Sequence, residues 1–209
     1  MTDEQTDEQL IHAYQQGNVA AFEILYLRYK NAIYHYLFRQ TQSTSSADEL
    51  HQDVWLNLIK SRSRFKQDAS FKTWLYTIAR NRLLDHYRQS KHQALHLVRS
   101  LADTENAEAE LDKAIEKSGT SVETPDNTLQ TEQLQQRLLQ GIDDLPHEQR
   151  EVFLLHEKNG LSLADIAQVT DSSYESVKSR LRYAIKKLRQ HLYPSITDIQ
   201  KQTVINKTL

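Results

Sequence analysis

Residues 161–188 read LSLADIAQVTDSSYESVKSRLRYAIKKL. Ile166, Ala167 and Val169 give a short helix an apolar face. Ser162 followed by Asp165 has the spacing at which a hydroxyl and a carboxylate satisfy the first free N–H groups of a helix. Ser172 followed by Glu175 repeats that spacing and predicts a second helix start, with Val177, Leu181, Ile185 and Leu188 as its buried stripe. Two short capped helices about a tight turn, the second rich in Lys and Arg, form the pattern of a helix-turn-helix. Upstream, Leu145-Pro146 predicts a helix with Pro at its first position, running through Val152 to Leu155 until Asn159-Gly160 breaks it. Before that, Leu134, Leu138, Leu139 and Ile142 share one helix face, and Pro194 predicts the end of the last helix. Residues 133–192 therefore read as one helical unit, followed by a polar tail at 193–209.

The first half is helical as well. Ala21, Phe22, Leu25, Tyr29, Ile33 and Leu37 recur at spacings of three and four over 20–38. Ser46 with Glu49 predicts the cap of a helix carrying Leu50, Val54 and Leu58, widened by Trp55 and Ile59. SRSRFKQDAS (61–70) loses the period and reads as a loop, and 71–88 regains it with Phe71, Trp74, Leu75, Ile78, Ala79 and Leu83. Residues 18–92 form a second unit behind an acidic arm at 1–17. Residues 93–132, with SGTSVETPDNT at 118–128, read as a flexible acidic tether. The expected fold class is all-α: two small helical domains joined by that tether, the C-terminal one a helix-turn-helix.

Composition narrows the function. Four Gly and three Pro in 209 residues are too few for the many turns of a sandwich or barrel. The four Gly lie far apart, which excludes a dinucleotide fingerprint and a P-loop. With no Cys there is no disulfide, thiol nucleophile or thiolate zinc site, in keeping with a reducing cytoplasm. No apolar run approaches the length of a membrane span, so no membrane insertion is expected. His92 and His96 stand four apart without a nearby carboxylate pair, so no metal site and no cofactor are expected. No Ser/His/Asp order is identifiable, and neither an enzyme nor a small-molecule substrate is expected.

The net charge of -2 conceals segregation. Residues 60–92 hold nine Lys and Arg against two acids, and residues 176–193 hold six against none. Residues 1–23 hold five acids and no cation, and residues 100–133 hold nine acids against two cations. Basic stripes point to a polyanion, although solvated helix faces give the same counts. Attraction between acidic 100–133 and basic 176–193, loosened by salt, is a further expectation.

Three stretches carry a family resemblance: ADELHQDVWLNLIK (47–60), FKQDASFKTWLYTIARNRLLDHYRQ (65–89) and LPHEQREVFLLHEKNGLSLADIAQVTDSSYESVKSRLRYAIKKLRQHL (145–192). In this order the chain resembles the extracytoplasmic-function (group IV) sigma factors of the sigma-70 superfamily. In the second stretch Trp74, Leu75, Ile78, Ala79, Asn81, Asp85 and Arg88 match the family's core pattern. The resemblance implies that 18–92 is sigma region 2, which docks polymerase and recognises and melts the −10 element. It implies that 133–192 is sigma region 4, which reads the −35 element. The implied partners are core RNA polymerase, through its β′ clamp coiled coil and β flap, and promoter DNA, duplex and single-stranded, in the bacterial cytoplasm. An anti-sigma factor is compatible with the family. Two positions depart from it: Asp171 stands where the turn usually has Gly, and Glu175-Ser176-Val177 where the recognition helix usually opens with Gly-Thr-Val.

The residue types suit those tasks. In 64–88, Arg64, Lys66, Lys72, Arg80, Arg82 and Arg88 match phosphate contacts, and Phe65, Phe71, Trp74 and Tyr87 offer ring faces to unstacked bases. For Phe71 and Trp74 the period favours core over a base-stacking role. By the resemblance, the 64–71 loop, with Gln67 and Ser70, and Asn81 receive a flipped −10 base. In the recognition helix, Ser173, Tyr174, Glu175, Ser176, Lys178, Ser179, Arg180 and Arg182 are the −35 candidates. Asp48, Glu49, Gln52, Asp53, Trp55 and Leu56 form the implied polymerase-docking patch, in which Trp55 reads alternatively as core. A plain helix-turn-helix repressor or activator and a helical adaptor remain as alternatives; neither gives the aromatic-basic block at 65–89 a purpose.

Overall fold

The structure is a computed structural model that describes residues 5–66, 70–102 and 127–205. The first unit holds helices α1 (Asp7–Gln15), α2 (Val19–Thr41), α3 (Thr44–Ser61) and α4 (Phe71–Ala102). The second holds α5 (Asn127–Asp143), α6 (His147–Phe153), α7 (Leu163–Thr170) and α8 (Tyr174–Ile205). No strand occurs among the described residues. Residues 103–126, most of the expected tether, lie outside the described residues, while 93–102 continue α4 and 127–132 belong to α5. The expected attraction between the tether and the basic helix lies outside them too.

The segment read as an acidic arm contains a helix. Thr6 and Gln9 cap α1 reciprocally, and Leu10, Ile11 and Tyr14 are buried. Its acids serve the fold. Asp7 accepts from Arg28 and Tyr29, and the Glu8 carboxylate accepts the Phe71 backbone N–H at 3.0 Å, satisfying the start of α4. Beneath them, Leu25, Ile33 and Leu37 of α2 meet Val54 and Leu58 of α3 and Phe71, Leu75 and Leu83 of α4, all at 0 % exposure.

In the second unit α5 and α8 approach closely. A Cβ on Gly141 would stand 3.0 Å from the His191 ring and 3.2 Å from a Leu188 methyl, so a larger residue there would have to push these side chains aside. After α6 the chain widens into a π-helical turn (Leu154–Lys158), closed where the Asn159 side-chain amide donates to the Leu154 carbonyl and Gly160 takes φ +62. The reciprocal cap of α7 by Ser162 and Asp165 is as the sequence predicts.

Four boundaries differ. Helix α3 is capped by Ser43 rather than Ser46, α8 by Ser173 rather than Ser172, and Pro146 is the cap of α6 rather than its first helical residue. Runs of adjacent hydroxyls offer several caps, and the hydroxyl that reaches the N–H three residues on takes the role. Helix α8 continues through Pro194 to Ile205. Proline deletes one backbone donor, which marks a weak point in a helix without fixing where it ends.

Asp171 ends α7 in the left-handed conformation, φ 48 and ψ 49. A short polar side chain tolerates this region better than most, so the residue substitutes for Gly at modest cost. Asp171→Val, whose β-branch is disfavoured there, is expected to lower the stability of the helix-turn-helix by about 1–2 kcal/mol, read as a shifted urea midpoint at constant slope.

Candidate nucleic-acid interface

The aromatic-basic block divides by burial. Phe65 and Phe71 are buried, and Trp74 packs against both with ring centroids 5.3 and 6.2 Å away. Phe65 and Phe71 therefore offer no open platform in this arrangement, while Trp74 is half-buried. Tyr87 donates its hydroxyl to the Gln40 carbonyl at 2.7 Å, and burial pushes its phenol up to about 12. Ser70 accepts from the Thr73 N–H at 3.1 Å and so opens α4 as a cap. Gln67 falls outside the described residues.

The cations divide as well. Arg64, Lys66 and Arg88 are exposed, as is Asn81. Lys72 is half-buried beside Gly160, and Arg82 bridges to Asp85 at 2.7 Å. Arg80 alone is turned inward: its Nε donates to the Glu151 carboxylate at 3.0 Å.

Helix α8 presents the cleaner surface. Val177, Leu181, Ala184 and Leu188 face the core, which leaves Tyr174, Glu175, Ser176, Lys178 and Arg182 exposed. Ser179 is half-buried, and the Ser173 hydroxyl lies 2.8 Å from that of Ser176. Arg180 is tied to its own unit: one amino group donates to the Ser172 hydroxyl at 3.0 Å and the other pairs with Glu148 at 2.7 Å. Lys178, Arg182, Lys186 and Arg189 rim a shallow groove of about 470 Å³ along the helix, floored by Leu181 and Ile185.

On α3, Asp48, Glu49, Gln52 and Leu56 are exposed and Asp53 is half-buried, so the acidic patch is on the surface. Trp55 is 6 % exposed; its ring packs against Phe22, Tyr26 and His51 with its N–H 3.0 Å from the His51 Nε2. The core reading of Trp55 therefore describes its position, and the hydrophobic contribution at the patch surface comes from Leu56.

Sequence reasoning did not anticipate the junction between the two units. The Tyr36 hydroxyl donates to Glu151 at 3.2 Å, Tyr76 to the Asn159 side-chain oxygen at 2.6 Å, and Thr73 to Asp165 at 3.0 Å. Arg39 pairs with Asp143 at 3.3 Å. The His147 ring meets that of Tyr87 edge-on at 5.2 Å, and its Nε2 is buried with no hydrogen-bond partner among the described residues.

Burial holds the His147 pKa below its ordinary value. Glu151 and Glu148 act against that shift, and Arg150 and Arg80 reinforce it. A base whose proton is disfavoured in the packed state binds it more readily once released. The packed state therefore keeps its full stability above about pH 6.5 and loses it as pH falls below that value. Burial shifts His51 in the same direction. His147→Gln is expected to flatten the loss of thermal stability between about pH 7.5 and 5.5, with the remainder removed by adding His51→Gln. An unchanged slope in both variants would count against this assignment.

Comparisons with known proteins agree with this layout. The family model for sigma-70 region 2 matches residues 25–93, and that for sigma-70 region 4 matches residues 135–188, together more than half of the chain. The chain is 27% identical to the RNA polymerase sigma-H factor of Pseudomonas aeruginosa, over 95% of this chain and 100% of that one. It is also 27% identical to the ECF RNA polymerase sigma-E factor of Escherichia coli strain K12, over 94% and 99%. Among solved structures, CnrH in complex with the cytosolic domain of CnrY aligns with a TM-score of 0.61 at 22% identity, covering 91% of this chain and 99% of that one. The sigma factor RpoE of Bartonella quintana, in complex with the anti-sigma factor NepR, aligns with a TM-score of 0.59 at 22% identity, covering 82% and 96%. At that identity the structural likeness concerns the fold.

Proposed function

This chain belongs to the sigma-70 family, and we propose how its residues divide the family's work of directing RNA polymerase to promoters and starting transcription. The observation that carries the division is an ordered pair of regions, each with exposed cations on a helix whose other face is committed to core. Region 4 meets the −35 element through Tyr174, Glu175, Ser176 and Lys178 at the start of α8, where a recognition helix reaches base edges. Arg182, and beyond it Lys186, hold the phosphates. Arg180 and Ser179 position that helix from its flank.

Region 2 meets the −10 element along α4 and the segment before it. Arg64, Lys66, Lys72, Arg82 and Arg88 neutralise the backbone, Asn81 offers a hydrogen-bonding amide to a base, and Arg80 joins them once it leaves Glu151. Phe65, Phe71 and Trp74 shape the surface from beneath rather than stacking on bases. Asp48, Glu49, Gln52, Asp53 and Leu56 dock the polymerase, a polar rim around one exposed aliphatic side chain. The chain itself makes and breaks no bond and works where the bacterial polymerase works, in the cytoplasm. An anti-sigma partner, as NepR is for the Bartonella quintana factor above, fits this role.

The experiment is run-off transcription across genomic promoters with purified chain and core polymerase, with start sites mapped. The expected result is a discrete promoter set absent with core alone. Failure to bind core polymerase at low salt would overturn the reading and leave a free-standing helix-turn-helix regulator.

A further inference from the structure

Helix α1 precedes residues 25–93, the part of the chain that the region 2 family model covers, yet it holds the −10 segment at both ends. At one end α3 runs into a single 3₁₀ turn, Arg62–Arg64, where backbone carbonyls lack partners within the helix. The Gln15 side-chain amide donates to two carbonyls there, that of Arg62 at 2.7 Å and that of Phe65 at 3.2 Å. The Arg62 guanidinium lies over the Tyr14 ring, 5.3 Å from its centroid, and donates to the Ile59 carbonyl at 2.8 Å. At the other end the Phe71 N–H, at the start of α4, is held by the Glu8 carboxylate at 3.0 Å.

Glu8 and Gln15 stand two helical turns apart on one face of α1, about 10 Å along its axis. The helix that joins them is firmly seated. Leu10 and Ile11 are at 0 % exposure, and Asp7 accepts from Arg28 and Tyr29 of α2. The Gln15 amide is aimed by its neighbours. Gln16 donates to the His12 Nε2 at 3.1 Å, which leaves the proton on the His12 Nδ1, 3.3 Å from the Gln15 side-chain oxygen. With its oxygen so engaged, Gln15 turns its NH₂ to the two carbonyls. Apolar burial accounts for the seat of α1 on α2. It does not call for an amide that reaches backbone 47 and 50 residues away.

We propose that Gln15 and Glu8 are positioning residues for −10 recognition. Through one rigid helix they fix the backbone that carries Arg64, Phe65 and Lys66 and the backbone that opens α4, so the strand-reading surface has its binding geometry before DNA arrives. This rests on the reading of that surface as the one that meets the −10 element. Such a clamp acts on base selection more than on phosphate contacts. Long Arg and Lys side chains follow a displaced phosphate through several rotatable bonds, whereas a base edge is read only at hydrogen-bond distance. Without the clamp, affinity for the cognate strand falls with the fraction of molecules that hold the reading geometry.

The test uses the full chain assembled with core polymerase. Gln15→Met keeps the length of the side chain and removes the donor. Glu8→Ala removes the acceptor, and Glu8→Gln keeps an acceptor oxygen. Affinity is measured across a salt series for a labelled single-stranded oligonucleotide carrying the cognate −10 sequence, and for the same strand with one base of that element substituted. Gln15→Met and Glu8→Ala are expected to bind the cognate strand about tenfold more weakly, as for a competent fraction falling from near one to about a tenth. The substituted strand should bind almost as it does to the parent, and Glu8→Gln should restore most of the loss. The slope of log affinity against log salt should stay at the parent's value, because no phosphate contact is removed. Arg64→Gln, by contrast, should lower it by about 0.7.

Gln15→Met and Glu8→Ala proteins that keep the parent's preference for the cognate strand overturn the clamp. So does a loss of equal size on both strands, which is the mark of a role in folding alone. Arg64→Gln and Lys66→Gln separate this from the reading beneath it. If they lower the slope while the clamp variants keep their preference, only the clamp falls. If combining them leaves the slope and the affinity at the parent's values, the assignment of this segment to the −10 element falls first.

Discussion

Phe71→Ala is expected to cost about 3–5 kcal/mol of stability, enough to leave much of the first unit unfolded at 37 °C. The ring is at 0 % exposure, edge-on to Tyr29 at 5.6 Å and within 6.3 Å of Phe65 and 6.2 Å of Trp74. Truncation removes the apolar area and leaves a cavity that three rigid rings are poorly shaped to fill. It also loosens the start of α4, where the Phe71 N–H is held by Glu8. The measurement is urea unfolding of the parent and variant, followed by far-ultraviolet circular dichroism. Trp74→Phe, at a half-buried position, is expected to cost less than half as much. Were Phe71 a base-stacking residue, the variant would unfold at the parent's midpoint and lose only promoter opening.

That contrast marks what the sequence could and could not convey. Period placed Phe71, Leu75, Ala79 and Leu83 on one face correctly, because helical spacing and burial are local properties. Period alone could not tell a ring that fills a core from one that waits for a base, since both sit on an apolar stripe. The helix-turn-helix was legible for the same local reasons, and the left-handed Asp171 stands at the turn position where the family usually has Gly. Helix α1 was hidden by its charge. Asp7 and Glu8 read as solvated acids but are spent on Arg28, Tyr29 and the Phe71 N–H, partners more than 20 residues away. Yet the Thr6–Gln9 spacing before Leu10 and Ile11 was there to be read.

The junction was illegible for a stronger reason. Glu151 stands beside the apolar run VFLL, where a lone carboxylate looks like the wet side of an amphipathic helix. Only the meeting of α6 with α2 and α4, 115 and 71 residues away, shows it bonded to Tyr36 and Arg80. Arg80 itself was read as a phosphate contact from its charge. Its pairing with Glu151 leaves that role conditional on a change of arrangement, which no count of cations reveals.

Replacing Lys178, Arg182 and Lys186 together by Gln is expected to produce the other large effect, a loss of salt sensitivity in promoter binding by the holoenzyme. Each phosphate contact releases condensed counterions and contributes about 0.9 to the slope of log affinity against log salt. Three contacts removed should lower that slope by about 2.7. Between 50 and 200 mM salt the parent should therefore lose about fortyfold more affinity than the variant does. All three side chains are exposed on the side of α8 away from Val177 and Ala184, so fold stability should barely change. The weakening should be similar for cognate and unrelated −35 sequences, because phosphates carry no sequence information directly. Arg180→Gln should behave differently. Its guanidinium is held by Ser172 and Glu148 within the same unit, so the slope should move by no more than about one, while the loss of these ties alters how α8 sits in the turn. A triple variant with the parent's slope would remove α8 from the phosphate backbone and place the electrostatic contact on region 2 alone.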